Sequence, residues 1–217
     1  MIQAVIFDRD GILINSEEIH VLSTLNALKK LGITSEYSDR ELIIGRHPAE
    51  YGIEFMKKYS NQGFSYDSFR VLQKELYYAT IDNAPLFEDT IQLVKLIHES
   101  NIPLGLTTSS SKDNTTRFLN LNNLTRYFDV VITFEDCDKR KPDPAPYILT
   151  AHRLRVDPKY CIAIEDTAIG VESAKCAGMK CIAIPNGYTA NQDFSKADAV
   201  VDSAKGITLS FLEALMN

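Results

Sequence analysis

The chain has 217 residues, 45% of them hydrophobic, which is enough for one sizeable core with a smaller second domain. Its 29 acidic against 23 basic residues give a net charge of −6, which disfavours a nucleic-acid partner, since such binders carry a basic excess. No apolar stretch reaches the roughly 18 residues of a membrane span, so no membrane partner is expected.

The first predicted element is IQAVIF (2–7), a short apolar run with the composition of a strand. It begins directly behind Met1, so no signal peptide is expected. It runs into Asp8, Arg9, Asp10 and Gly11. Two carboxylates one residue apart repel each other, and the pair makes sense if a cation sits between them or a reaction uses them.

From 15 to 86 the pattern is helical only: SEEIHVLSTLNALKKLG, then DRELIIG, PAEYGIEFMKKYS and SYDSFRVLQKELYYATI. Gly32 and Gly45 stand where helices should stop. A helical block inserted just after the first strand predicts a small separate domain over that strand's carboxyl end. The rest of the chain alternates. IPLGLTT (102–108), VVIT (130–133), CIAIE (161–165) and KCIAI (180–184) read as strands, and amphipathic helices are predicted at 89–100, 112–124 and 143–154. The prolines of the last fall in its first turn, where they are tolerated. This alternation predicts an α/β fold with a parallel sheet covered on both faces.

The four cysteines, Cys137, Cys161, Cys176 and Cys181, form no CxxC pair and have no zinc-type histidine partner. They are expected to be free thiols, which places the protein in a reducing, cytoplasmic compartment.

In an open parallel sheet, ligands bind at the carboxyl ends of the strands. The first strand is followed by Asp8, Asp10 and Gly11, the second by Thr107 to Ser111, the third by KRKPDP with Lys141, the fourth by Glu165 and Asp166. The acids form an oxygen-rich site suited to Mg2+. The Thr/Ser loop opens onto a helix near Lys112 and makes an anion site. Lys141 adds positive charge. These are the parts of a phosphoryl-transfer site. Each segment alone is an ordinary cap, turn or polar loop; their conjunction, in this order, is what points to chemistry.

The motifs also resemble those of the haloacid dehalogenase superfamily, in the subgroup of small phosphatases and β-phosphoglucomutases with a helical cap. FDRDGILINSEEIH is similar to that family's first motif, LGLTTSS to its second, KRKPDP to its third and IEDTAIGVESAKCAGMKCIAIPNG to its fourth. The resemblance covers nearly the whole chain. It implies a Rossmann-like core (1–14 and 87–217) with strand order 3-2-1-4-5 and an inserted helical cap (15–86). It implies that Asp8 is a nucleophile that becomes an aspartyl phosphate, and that Asp10 is the proton carrier. Asp8, Asp166, the Asp10 backbone carbonyl and, directly or through water, Glu165 would hold Mg2+. Thr108, Ser109 and Lys141 would bind the phosphoryl oxygens.

Departures from the family pattern are Arg9, Glu88, Arg140 and the His47-Pro48 pair. Alternation along the strand predicts that Arg9 points away from the nucleophile, with little effect. Glu88 falls at the expected hinge between the two domains. Candidate substrate contacts in the cap are His20, Arg46, His47 and Lys74, each of which also reads as a solvated helix or loop residue. The expected activity is a Mg2+-dependent phosphatase, monomeric, acting on a small phosphorylated metabolite such as a sugar phosphate. The alternatives are a phosphoglucomutase and a catalytically inactive binding module. A dehalogenase would lack Asp10, and a phosphonatase would need an identifiable Schiff-base lysine.

Overall fold

Ala4 to Phe7 are wholly buried, as a strand covered on both faces of a parallel sheet must be. This strand, β1 (Ala4–Phe7), opens a computed structural model that describes residues 1–36, 38–44, 46 and 48–216. Four helices follow: α1 (Glu17–Lys30), α2 (Asp39–Ile43), α3 (Pro48–Lys58) and α4 (Tyr66–Tyr78). After α5 (Glu88–Glu99), strands and helices alternate: β2 (Leu104–Thr107), α6 (Lys112–Leu121), β3 (Val130–Ile132), α7 (Ala145–Leu154), β4 (Cys161–Glu165), α8 (Ala168–Cys176) and β5 (Lys180–Ala183). The two-residue β6 (Ala199–Val200) and α9 (Leu209–Met216) complete the described chain.

The chain divides into two compact units, Met1–Ile14 with Leu86–Asn217, and Asn15–Pro85. The first holds a parallel sheet in the order β3-β2-β1-β4-β5-β6. The expected 3-2-1-4-5 Rossmann-like order is present, with β6 added at the edge beside β5. A two-residue strand carries too little periodicity to be legible in sequence. β1 is central, its Val5 paired with Leu104 of β2 and Ile162 of β4. Ile6 packs with Tyr147 and Ala151 of α7 and Val171 of α8, all essentially buried. Burying a side chain such as Ile6 or Val171 contributes about 1.5–3 kcal/mol by removing it from water. α6 and α8 start where hydroxyls cap them, Ser111 accepting from the Asn114 N–H at 3.4 Å and Thr167 from the Gly170 N–H at 3.1 Å.

The second unit is helical, and α1 packs chiefly against α4. Its core gathers Val21, Leu28, Ile43, Tyr51, Phe55 and Phe69. Phe55 and Phe69 meet edge to face at 6.0 Å and 87°, the arrangement that aromatic quadrupoles favour. Asp39 is fully buried among these apolar groups. Its Oδ1 accepts from Lys58 Nζ at 2.7 Å, and its Oδ2 accepts from the Glu36 N–H at 2.7 Å and from the Tyr59 hydroxyl. α1 ends at Lys30, just before Gly32, whose φ of +76° suits a residue without Cβ. The other predicted stop, Gly45, lies outside the described residues. No helix among the described residues is long and apolar enough to cross a membrane.

Candidate active site

Asp8 extends β1 by one residue, its N–H donating to the Ile164 carbonyl at 2.9 Å. Its carboxylate is therefore aimed by the sheet. Asp8 Oδ1 accepts from Lys141 Nζ at 2.6 Å. The same ammonium donates to Glu165 Oε1 at 2.6 Å, at the end of β4, and to the Thr107 carbonyl at 3.0 Å, at the end of β2. Three strand ends thus share one lysine. The Tyr147 hydroxyl, from α7, donates to Glu165 Oε1 at 2.7 Å. Glu165 Oε2 accepts from the Asp166 N–H at 3.2 Å and the Thr167 hydroxyl at 3.3 Å. A Cβ at Gly170 would fall about 2.0 Å from the Glu165 carboxyl carbon, so the first turn of α8 can approach this carboxylate only as glycine.

Burial pushes the Asp8 carboxyl up to about 7; Lys141 opposes this, and the charges of Glu165 and Asp10 reinforce it. Burial by itself would lower Lys141, but the charges of Asp8 and Glu165 outweigh it and hold the ammonium above its ordinary range. Burial, then Glu165 and Asp8, raise the Tyr147 phenol well above its usual value, so it remains a donor.

Asp8, Glu165 and Asp166 each offer a carboxylate oxygen, and these oxygens lie within 4.8 Å of one another. The set is buried, all oxygen and rich in negative charge, which fits a hard divalent cation. Asp166 Oδ2 accepts from Asn186 Nδ2 at 2.8 Å. It also borders Gly11, where a Cβ would stand 1.9 Å from the same oxygen and where φ is +78°. Both facts demand glycine in the DxDG turn.

The carboxylate of Asp10 does not join this cluster. Its Oδ1 accepts from Arg9 Nη2 at 2.7 Å, and its Oδ2 accepts from the Ser110 hydroxyl at 2.8 Å and the Thr108 hydroxyl at 3.4 Å. Arg9, expected to point away from the nucleophile with little effect, lies in the interior. Alternation does carry its side chain away from Asp8, but the guanidinium is fully buried and ion-paired to Asp10. A buried guanidinium needs a charged partner, and the adjacent carboxylate supplies it. Thr108, Ser109 and Lys141 line one shallow cleft, together with Lys139 and Arg140. Arg140 lies over the Phe134 ring, 3.8 Å from its centroid.

The candidate contacts in the helical unit are placed differently. His20 packs edge-on to the rings of Tyr51 and Tyr77, with Nε2 3.2 Å from the Tyr51 hydroxyl. Arg46 pairs with Glu54 at 2.5 Å and Glu50 at 3.9 Å. Lys74 is exposed, its Nζ 5.6 Å from the centroid of the Tyr78 ring. His47 lies outside the described residues. Glu88 is exposed in the first turn of α5.

Three participants were not singled out from sequence. Tyr147 looks like a core residue on an apolar helix face, and its hydroxyl gives no sequence signal. Ser110 was one of several hydroxyls in a polar loop. Asn186 follows β5, and the rule that ligands gather at strand ends, applied to this strand too, points to it.

A sheet that brings acids, hydroxyls and a lysine to its carboxyl end defines a hydrolase-type site of the doubly wound class. The family model described as "Haloacid dehalogenase-like hydrolase" matches residues 5–184, and the chain belongs to this family. It is similar to "Putative phosphatase YhcW" of Bacillus subtilis (strain 168), 27% identical over 98% of this chain and 96% of that protein. A "CBBY-like protein" of Arabidopsis thaliana is 58% identical over 64 residues, 30% of this chain; the matched segment spans 20% of that protein's length. Among solved structures, a mutant of CbbY from Rhodobacter sphaeroides in complex with xylulose-(1,5)bisphosphate superposes with a TM-score of 0.85 at 25% identity, covering 98% of this chain and 99% of that one.

Proposed function

We propose that this chain is a Mg2+-dependent phosphatase that hydrolyses a small phosphorylated metabolite, a sugar phosphate by preference, through an aspartyl phosphate on Asp8. The observation that carries the reading is the Asp8 carboxylate at the end of β1, buried, held at 2.6 Å by Lys141 and clustered with Glu165 and Asp166. In the first half-reaction an Asp8 oxygen attacks phosphorus and the bond to the leaving oxygen breaks. That oxygen takes the bonding pair and receives a proton from Asp10. In the second, Asp10 as carboxylate takes a proton from water, the water oxygen attacks phosphorus, and the bond from phosphorus to the Asp8 oxygen breaks with its electron pair staying on Asp8. Inorganic phosphate leaves and Asp8 is restored.

Thr108, Ser109 and Lys141 bind the phosphoryl oxygens, Lys141 bridging nucleophile and transferring group. Asp8, Asp166, the Asp10 backbone carbonyl and, directly or through water, Glu165 would hold Mg2+. When bound, Mg2+ neutralises charge on the transferring group. Glu165 also spends one oxygen on Lys141 and Tyr147 and so orients the lysine. The helical unit acts as a cap that selects substrate, with His20, Arg46, His47 and Lys74 as candidate contacts. The relative named as a phosphatase and the neighbour solved with a sugar bisphosphate support the class of reaction and of substrate. Buried free thiols at Cys161 and Cys181 support a reducing, cytoplasmic location, and a monomer is proposed.

The test is a screen of phosphorylated metabolites for phosphate release with Mg2+ and with excess chelator. Release from one or a few sugar phosphates, abolished by chelator and restored by Mg2+, is expected. β-Glucose 1-phosphate with a trace of the 1,6-bisphosphate separates the mutase alternative: isomerisation to glucose 6-phosphate with little free phosphate would replace the phosphatase reading.

A further inference from the structure

Arg9 stands between the two aspartates of the DxDG turn and heads the fully buried side chains when these are ranked by size. Nη2 donates to Asp10 Oδ1 at 2.7 Å. Nη1 reaches Thr115 Oγ1 at 3.5 Å, and the guanidinium carbon lies 5.5 Å from the centroid of the Phe118 ring. Thr115 and Phe118 are both on α6, one turn apart. The other oxygen of Asp10 is held by Ser110 at 2.8 Å and Thr108 at 3.4 Å, on the loop that leads into α6. The two aspartates therefore have separate cations, Lys141 for Asp8 and Arg9 for Asp10.

We infer that Arg9 is a positioning residue that, braced on α6, clamps the Asp10 carboxylate from one side while Ser110 holds it from the other. The clamp keeps Asp10 beside the phosphate-binding loop and out of the Asp8–Glu165–Asp166 cluster. Arg9 itself need not touch substrate. A carboxylate fixed by a planar, buried guanidinium has little rotational freedom, because the donor cannot swing without losing its contact with the Phe118 ring and its second hydrogen bond. Proton transfer depends on such placement, since a misdirected acid gives no help to the leaving oxygen. The inference rests on the reading of Asp10 as proton carrier.

The experiment compares wild type, Asp10→Asn, Arg9→Met, Arg9→Lys and Ser110→Ala, with Arg9→Met also built into Asp10→Asn. Phenyl phosphate and p-nitrophenyl phosphate are the probes, with Mg2+ saturating and folding followed by thermal melting. Phenolate leaves poorly and needs the proton; p-nitrophenolate needs it much less. Arg9→Met is expected to lose about tenfold more kcat/KM on phenyl phosphate than on p-nitrophenyl phosphate, a fraction of what a general acid is worth. Arg9→Lys should show a smaller differential, and Ser110→Ala one of the same sign. Arg9→Met should add nothing further to Asp10→Asn. If Arg9→Met does not fold, Arg9→Lys and Ser110→Ala carry the comparison, since both act on the same carboxylate. Equal losses on the two esters in folded Arg9 variants, or a full extra loss on top of Asp10→Asn, overturn the clamp and leave Arg9 a purely structural residue. An Asp10→Asn enzyme with the wild-type ratio between the esters removes the proton-carrier reading itself, and the clamp with it.

Discussion

Asp8 in the sheet unit and Asp39 in the helical unit are both buried carboxylates with a lysine at hydrogen-bond distance, 2.6 Å and 2.7 Å. Their surroundings differ. Asp39 shares Lys58 with Glu36, but Glu36 is largely exposed to water, and the Tyr59 hydroxyl and the Glu36 N–H also donate to Asp39, so its oxygens are satisfied by donors from its own unit. Asp8 shares Lys141 with Glu165, and Asp166 stands in the same cluster. There, every carboxylate that crowds the ammonium is buried, and burial pushes Asp8 up to about 7. One arrangement leaves its extra carboxylate in water, where its charge is screened. The other leaves a buried surplus of negative charge that suits a cation. The two sites are thus told apart by whether the surplus carboxylate is hydrated or buried, and a buried surplus is a feature of candidate functional sites.

The largest effect should come from the site with the buried surplus. Asp8→Asn is expected to cut phosphate release by about 10⁴-fold or more, as loss of a nucleophile does. Its thermal midpoint should stay level or rise, because one of several crowded like charges is gone while Lys141 keeps Glu165. Full activity in this variant would sink the phosphoaspartate mechanism, and a large fall in Tm would erase the contrast with Asp39.

Lys141→Ala should come next. It removes the shared cation, so both kcat/KM and stability fall, the latter by about 3–5 kcal/mol as expected when a buried pair is broken from one side. Lys141→Arg should rescue neither well, because a planar fork cannot occupy the geometry of a compact ammonium that meets three acceptors. Near-normal kcat/KM in folded Lys141→Ala would reduce Lys141 to a structural residue.

Asp39→Asn sharpens the comparison from the other side. It should lower stability by about 1–3 kcal/mol, since buried partners lose a charged acceptor while Lys58 remains partly hydrated. Hydrolysis of p-nitrophenyl phosphate by the folded variant should stay at the wild-type rate. A specific loss of kcat without loss of Tm would show that this site is not merely structural.

Arg46→Ala is expected to have the smallest effect on stability, about 0–1 kcal/mol, because its pairs with Glu54 and Glu50 are partly exposed. If Arg46 contacts substrate, the ranking of sugar phosphates changes while p-nitrophenyl phosphate hydrolysis does not. Uniform effects across all substrates would remove it from the specificity set.

How much could be read without coordinates depended on how local the information was. The strand runs were legible because buried parallel strands are short, apolar and bounded by turn residues, and each lies within a residue or two of its predicted place. DRDG and IED were legible as charged groups at strand ends because they are contiguous in the chain with the apolar runs they follow. β6 was not, being too short for a period, nor was the partner of Arg9. Alternation says which face a side chain leaves from, but not where a long side chain ends, and the guanidinium of Arg9 curls back to the next residue, Asp10.

The amino-acid sequence by itself determined the alternating architecture, the helical insertion and the identity of the groups at each strand end, because periodicity, turn chemistry and contiguous motifs are properties of neighbours along the chain. Tertiary structure decided which of those groups share a partner. Lys141 meets Asp8 across 133 positions and Glu165 across 24, Tyr147 reaches Glu165, and Asn186 holds Asp166. The order of strands sets these meetings, since placing β1 between β2 and β4 is what brings their ends to one place. It also decided that Asp10 faces Arg9 and Ser110 rather than the acidic cluster. A buried charge goes where the folded chain offers it a counter-charge, and that position exists only once the sheet and α6 are packed.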